Sequence, residues 1–515
     1  MKNIIWILCD SARNYKTNVD ERGRLQVMDS FAEDAIDFRN VVTSAPSTIM
    51  SLSSMMTAIP ATLQALDYSG FVHNTDVPSF PDILRNNGYQ TYGLFSWNDG
   101  NSFLTDIYGD NCIDLRPGID LNNKIFSNEE QIDTFFKFLN SDKINDDFFF
   151  WLHLDCRQDY DLSQKVERVF DELKRKNMYD DSIIVLGSDH GYPDPSRNIS
   201  FKDMRKYGHD LLMYDDNILT PQLLKLPEVG NKVFKETIST LDLSITILDY
   251  LSLFSQSHKD SLGKISFSGK SLWKYIKNNT EIEERTFRVD NRFIFQNQSA
   301  VALRSNSYKY IESFYKPEGE LFNLLKDPQE QSNLIYVKEY ESIVSKYKNI
   351  LEDDNSRVIA YHSNNLSEKL SKDFNPNKGF ILIGDFNNNV IRVFQKVFGK
   401  IEKLNSDKAS EAYGDISIFS TNAGSKDPYI LSFPVTKDHK INTEIVKLVK
   451  KYTNQSNGIR YLNYNFKVIK KPRHWVFNIL GKPVQYYYVF VADPKTAWVN
   501  FKIDVNKVLK YVLNK

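Results

Sequence analysis

The sequence predicts an α/β protein: a largely parallel sheet sandwiched by helices, followed by a smaller C-terminal α/β domain. Three observations lead there. Four short runs are apolar on both faces, as strands are when helices cover both sides of the sheet. Stretches with helix start and stop signals separate them. A polar segment from Ser356 to Gly379, ending in Asn-Pro-Asn, then divides the chain before a fresh set of strand-like runs.

The first run is "NIIWILCD", which closes on Asp10. "SFPDILRNNGY" follows as a helix, with Ser79 as N-cap, Pro81 in the first turn and Gly88 as the stop. The other runs are "TYGLFSW", "DFFFWLHLD" and "DSIIVLGSDHG". In open parallel sheets, ligands gather beyond the C-terminal strand ends. Three of the runs end there in carboxylate or imidazole groups: Asp10, His153 with Asp155, and Asp189 with His190. After the divide, "GFILIGDFNNN", "DPYILSFPV" and "GIRYLNYNF" read as strands and "VIRVFQKVFGK" as a helix. The expected organisation is a catalytic domain over 1–350, a linker over 351–378 and a basic domain over 379–515.

The length of 515 residues and 41% hydrophobic content suit a globular chain of two or three domains. The net charge of −1 conceals an asymmetry: residues 378–515 carry +13 and the rest −14. Either the basic third contacts an anionic surface, or it is a solvated lysine-rich face. Three cysteines form no disulfide framework and show no metal-type spacing, which fits a reducing compartment. The apolar N-terminal run is too short for a signal peptide, and no run of about 18 apolar residues occurs. A cytoplasmic location, peripheral at the inner membrane face, is expected. No nucleic-acid-binding module is visible.

Oxygen ligands with a single histidine suit a hard divalent cation, favouring Mn²⁺ or Mg²⁺, with Ca²⁺ and Zn²⁺ as alternatives. Taken alone, "SDHG" also reads as a turn with Asp189 capping a helix. The uncharged, hydroxyl-rich run "TSAPSTIMSLSSMMTA" (residues 43–58) raises a similar choice between packing and chemistry.

A family resemblance bears on both. "NIIWILCDSAR" and "LGSDHG" resemble the two metal motifs of the sulfatase branch of the alkaline phosphatase superfamily. "GHDLLMYDDNILTPQLL", "STLDLSITILDYL", "SGKSLW", "AVALRSNSYKYIE" and "ELFNLLKDPQEQSNL" are similar to its later landmarks, in order, over roughly residues 1–345. The resemblance implies an alkaline-phosphatase-like fold with Asp10, Thr48, Asp189 and His190 on the metal. It also implies Thr48 as nucleophile at a helix N-terminus, where the dipole favours an anion. His209 falls on a substrate, acid or second-metal position. His153 falls on a site position, though a core histidine explains it equally, and Arg157 stands near a family histidine.

The departures are specific. Thr48 replaces the cysteine that sulfatases oxidise to an aldehyde, Leu52 the motif arginine, Met50 the proline, Ala58 the glycine, and Ser11 the second carboxylate. Members with threonine resemble phosphodiesterases and phosphoglycerol or phosphoethanolamine transferases. The expected substrate is therefore a small-molecule or glycan phosphoester, in surface polysaccharide or lipid-head-group modification. A sulfate-ester hydrolase without the modified residue, or a non-catalytic binding relative, are the alternatives.

Overall fold

The structure is a computed structural model. It describes residues 2–14, 23–63, 78–95, 113–114, 127–141, 147–156, 159–194, 212–254, 269–291, 300–313, 316–370, 374–384, 429–436 and 460–463. In chain order, the strands are β1 Ile4–Asp10, β2 Ile36–Val42, β3 Gln90–Leu94, β4 Ile113–Asp114, β5 Phe148–Asp155, β6 Ile183–Gly187, β7 Leu219–Lys225 and β8 Lys232–Ser239. Four more, β9 Phe287–Asp290, β10 Ala300–Arg304, β11 Tyr308–Ser313 and β12 Lys316–Asn323, form a second sheet. The helices are α1 Gln26–Phe31, α2 Thr48–Thr57, α3 Phe80–Asn86, α4 Asn128–Leu139, α5 Leu162–Arg175, α6 Asp215–Ile218, α7 Leu241–Tyr250, α8 Trp273–Asn278 and α9 Glu341–Leu370.

The eight-stranded sheet has the order β4-β3-β5-β1-β6-β7-β2-β8. Its four central strands β3, β5, β1 and β6 are the four apolar runs, and they pair with one another in parallel. β7 alone runs antiparallel to both its neighbours. β2 and β8, at the other end, were not evident from the sequence: Arg39 interrupts the first, and the second alternates Lys and Glu with apolar residues, as an edge strand does. Strand period sorts the central residues into two layers. Ile5, Ile7, Cys9, Phe148, Phe150, Leu152 and Leu154 pack with Phe135 of α4 and Val166 and Phe170 of α5. Trp6, Phe149 and Trp151 face the opposite side, where Phe80 of α3 meets Trp6 and Phe149 edge-on. Burial of such side chains stabilises by about 1.5–3 kcal/mol each.

The start signals work as the sequence implies. Ser79 and Ser127 each accept a bond from the third helical N–H, and the Asp82 and Glu130 carboxylates in turn accept one from the N–H of the cap residue, giving α3 and α4 full capping boxes. Gly88 takes φ +90° and ends the turn after α3. α2 instead ends on Ala58 at φ 51°, in the left-handed region where the resembled motif has glycine. Ala58→Gly is therefore expected to raise stability by about 0.5–1 kcal/mol, read as a higher midpoint in thermal unfolding.

The chain divides into two compact units. The first comprises 1–66, 70–294 and 298–358, and the second 67–69, 295–297 and 359–515. The stretch 351–378, expected as a linker, is helix to Leu370 and strand from Phe374. It carries no glycine or proline before Pro376, so no such breaker interrupts α9 up to Leu370. In the second unit, Phe374–Gly384 is the centre of an antiparallel three-stranded sheet, flanked by Tyr429–Thr436 and Arg460–Asn463. These are the three strands expected there; the expected helix lies outside the described residues. No described helix is long and apolar enough to cross a membrane.

Candidate metal centre

β1 lies between β5 and β6, so the ends of the three strands converge. Leu8 is level with both His153 and Gly187, and Asp10 with Asp155. The chain past β6 then brings Asp189 and His190 beside Asp10. The turn after Asp10 locks the two ends together. Ser11 takes φ 67°, its N–H donates to Asp189 Oδ1 at 3.2 Å and its hydroxyl to Asp10 Oδ1 at 2.7 Å. Ser11, where the resembled motif has a second carboxylate, thus serves as a donor to the first. Ala12 N–H donates to Ser188 Oγ at 3.0 Å, and that hydroxyl donates to the His190 carbonyl at 2.7 Å.

The hydroxyl-rich run supplies the fourth side. Thr48 is the first residue of α2 after Ser47 at the N-cap, and its Oγ1 lies 3.0 Å from His190 Nε2. Ser51, one turn on, donates to the Asp189 carbonyl at 2.7 Å. Ser54 and Thr57 donate to the Met50 and Ser53 carbonyls at 2.8 and 2.7 Å, and Ser44 caps the Ala61 N–H at 2.9 Å. Thr48 faces the site and the Ser44, Ser51, Ser54 and Thr57 hydroxyls brace the backbone, so packing and chemistry share the run. Leu52, at the motif arginine position, is fully buried.

Among the described residues, Asp10, Asp189 and His190 form a buried group whose ligand atoms lie within 4.8 Å of one another. His190 Nδ1 is 2.7 Å from the Gly191 carbonyl, which can only accept, so Nδ1 carries a proton and Nε2 is the ring nitrogen turned to the site. Nε2 is 3.3 Å from Asp189 Oδ2 and 3.7 Å from Asp10 Oδ1. Asp189 Oδ2 is buried and makes no hydrogen bond. Burial pushes the Asp189 pKa up, and the Asp10 charge adds to it against His190. Two carboxylates and an imidazole nitrogen converge in a buried site, an arrangement that a divalent cation stabilises. The residues fit such a group, with Thr48 Oγ1 as a further oxygen.

Three of the other sequence-predicted residues fall differently. His153 is fully buried on β5, stacked on Phe95 at 5.9 Å; burial lowers its pKa, so it stands beside the site as neutral imidazole. His209 and Arg157 lie outside the described residues. Three residues that nothing in the sequence singled out also bear on the site. Arg13 is buried behind it. Gln222 donates from its side-chain amide to the Ser188 carbonyl. Asn128 brackets Asp155 at the β5 exit, accepting from its N–H at 2.8 Å and donating to its carbonyl at 2.7 Å.

Residues 2–156 match the family model described as Sulfatase, and residues 206–357 the model described as N-sulphoglucosamine sulphohydrolase, C-terminal. A curated relative, choline-sulfatase of Rhizobium meliloti (strain 1021), is 27% identical over 175 residues, 34% of this chain. That match spans 31% of the relative's own length. Solved structures share the fold. Phosphonate monoester hydrolase of Agrobacterium radiobacter aligns with TM-score 0.54 and 12% identity over 70% of this chain and 96% of its own. BT4656, in complex with its substrate D-glucosamine-2-N,6-O-disulfate, aligns with TM-score 0.53 and 14% identity over 69% of this chain and 98% of its own. The Sulfatase model over residues 2–156 and the sulphohydrolase C-terminal model over residues 206–357 together support a place for this chain in the sulfatase family of the alkaline phosphatase-like superfamily.

Proposed function

We propose that the protein is a metal-dependent phosphoester hydrolase or phosphotransferase that works through Thr48. The observation that carries this reading is Thr48 Oγ1 at a helix N-terminus, 3.0 Å from His190 Nε2 and facing the Asp10–Asp189 carboxylates. Sulfatase-family proteins generally bind a divalent metal, and here Asp10, Asp189, His190 and Thr48 would hold it. A bound cation, Mn²⁺ or Mg²⁺ by the donor set, supplies charge that lowers the pKa of an alcohol and offsets the ester oxygens. Thr48 supplies the attacking oxygen: its Oγ–P bond forms as the bond from phosphorus to the leaving oxygen breaks. The leaving alcohol departs with a proton, and water or an acceptor alcohol then displaces the threonine oxygen. Ser51 and Ser188 hold the backbone that carries Asp189 and His190. His209 as acid and Arg157 as an anion contact complete the proposal, with the basic 378–515 region, at +13, for an anionic surface.

Phosphoester is preferred to sulfate ester because Thr48 cannot become the oxidised aldehyde and Leu52 stands where the resembled motif has arginine. The likeness to choline-sulfatase supports sulfate ester as the second reading. Chelator-treated protein assayed on aryl phosphomonoester, phosphodiester and sulfate ester, with and without added Mn²⁺, separates them. Metal-dependent turnover fastest on a phosphoester is expected. Faster sulfate cleavage would overturn the preference, and bound metal with no turnover would indicate a binding relative.

A further inference from the structure

Arg13 stands three residues past Asp10 and is fully buried. Its Nε donates to the Tyr192 carbonyl at 2.5 Å and a terminal nitrogen to the Pro193 carbonyl at 3.2 Å. The segment it grips is the one that follows His190. α6 holds that segment from a second side. Gly191 N–H donates to the Asn217 carbonyl at 2.8 Å and Tyr192 N–H to the Asp216 carbonyl at 3.0 Å. Asp194 N–H donates to Asp216 Oδ2 at 2.8 Å. The approach is so close that a Cβ on Gly191 would lie 2.2 Å from the Asp216 carbonyl oxygen. All of these bonds fix the backbone around the Gly191 carbonyl, the acceptor of His190 Nδ1–H.

We propose that Arg13 and Asp216 are positioning residues for His190. They hold the 191–194 segment so that the Gly191 carbonyl keeps the imidazole in its Nδ1–H tautomer, with Nε2 turned toward Asp10, Asp189 and Thr48. Arginine suits the task because its rigid fork reaches two carbonyls at once, and a lysine ammonium offers a single point of contact. Outer-shell partners of a metal-binding histidine act in this way, and their loss typically weakens metal binding 10–100-fold. The consequence for metal affinity rests on the cation reading above; the tautomer does not.

The test uses full-length, chelator-stripped protein with two readouts. One is the imidazole ¹⁵N shifts of His190, assigned through the signal missing in His190→Asn. The other is Mn²⁺ affinity, from the electron paramagnetic resonance signal of the free ion. Wild type is expected to show the Nδ1–H tautomer alone. Arg13→Met is expected to show a mixture of tautomers and roughly 10–100-fold weaker Mn²⁺ binding, with part of both restored in Arg13→Lys. Arg13→Met that keeps the wild-type tautomer and affinity overturns the proposal. If Arg13→Met does not fold, Gly191→Ala decides in the same way, because it pushes the segment off Asp216 and keeps every polar group. Asp189→Asn separates the two readings. If it binds Mn²⁺ as tightly as wild type, the metal reading falls, and the tautomer result still judges the clamp.

Discussion

Thr48→Ala is expected to lower kcat/KM by at least about 10³-fold on the preferred ester, with the loss in kcat. The substitution removes the attacking oxygen and little else. Thr48 is half-buried at the first position of α2, where alanine is a good helix former, so folding should be unaffected. Asp10, Asp189 and His190 remain, so bound metal should persist in elemental analysis. Thr48→Ser is expected to retain part of the activity, because the oxygen survives and only the methyl that restricts its rotamer is lost. Near-wild-type turnover in Thr48→Ala would remove Thr48 from the chemistry and leave water as the attacker.

The largest effect on stability is expected at Lys309. Its ammonium is fully buried on β11. It bridges Asp215 at 2.6 Å and Glu330 at 2.5 Å and donates to the Met213 carbonyl at 3.1 Å. Arg304, its register partner on β10, also pairs with Asp215, at 2.9 Å. This network ties the start of α6, and so one side of the His190 segment, to the four-stranded sheet. Lys309→Met leaves Glu330 without this ammonium and Asp215 with one cation in place of two. Breaking a buried pair on one side costs about 3–5 kcal/mol. The melting midpoint should fall by on the order of 10 °C, and an unchanged midpoint would show that the network carries no net stability.

The same network sets a pH dependence. Burial alone would raise the Asp215 pKa, but the charges and hydrogen bonds of Arg304 and Lys309 outweigh it and hold the carboxyl below the usual carboxylate range. A carboxyl with a depressed folded-state pKa contributes stability that is complete above about pH 4 and is lost as the pH falls through the folded value. Removing Lys309 moves that value toward the unfolded one. The variant should therefore lose less stability than wild type on acidification below about pH 4, from its lower starting point.

By itself, the sequence determined the central sheet and the residues at its ends. "NIIWILCD", "DFFFWLHLD" and "DSIIVLG" are apolar at all interior positions but His153 and Ser182, and a strand must be covered on both faces to tolerate that. Such strands are interior and parallel, and their C-terminal ends share one edge, so Asp10, Asp189 and His190 had to lie at that edge. The pattern of the uncharged run before Ala58 left packing and chemistry both open; the family resemblance implied a helix start at Thr48, and α2 begins there. Only the tertiary structure decided the antiparallel course of β7, the edge position of β8, the helix through residues 351–370 and the buried charges of Arg13 and Lys309. Local pattern records how often a residue faces the core, at a period of 2 or 3.6. It does not record which strand will lie alongside, or which distant group will meet a charge. Arg13 finds its carbonyls 179 and 180 positions along the chain, and Asp215 lies 89 positions before Arg304. A buried charge is stable only once such partners have arrived, so its place is a property of the folded molecule.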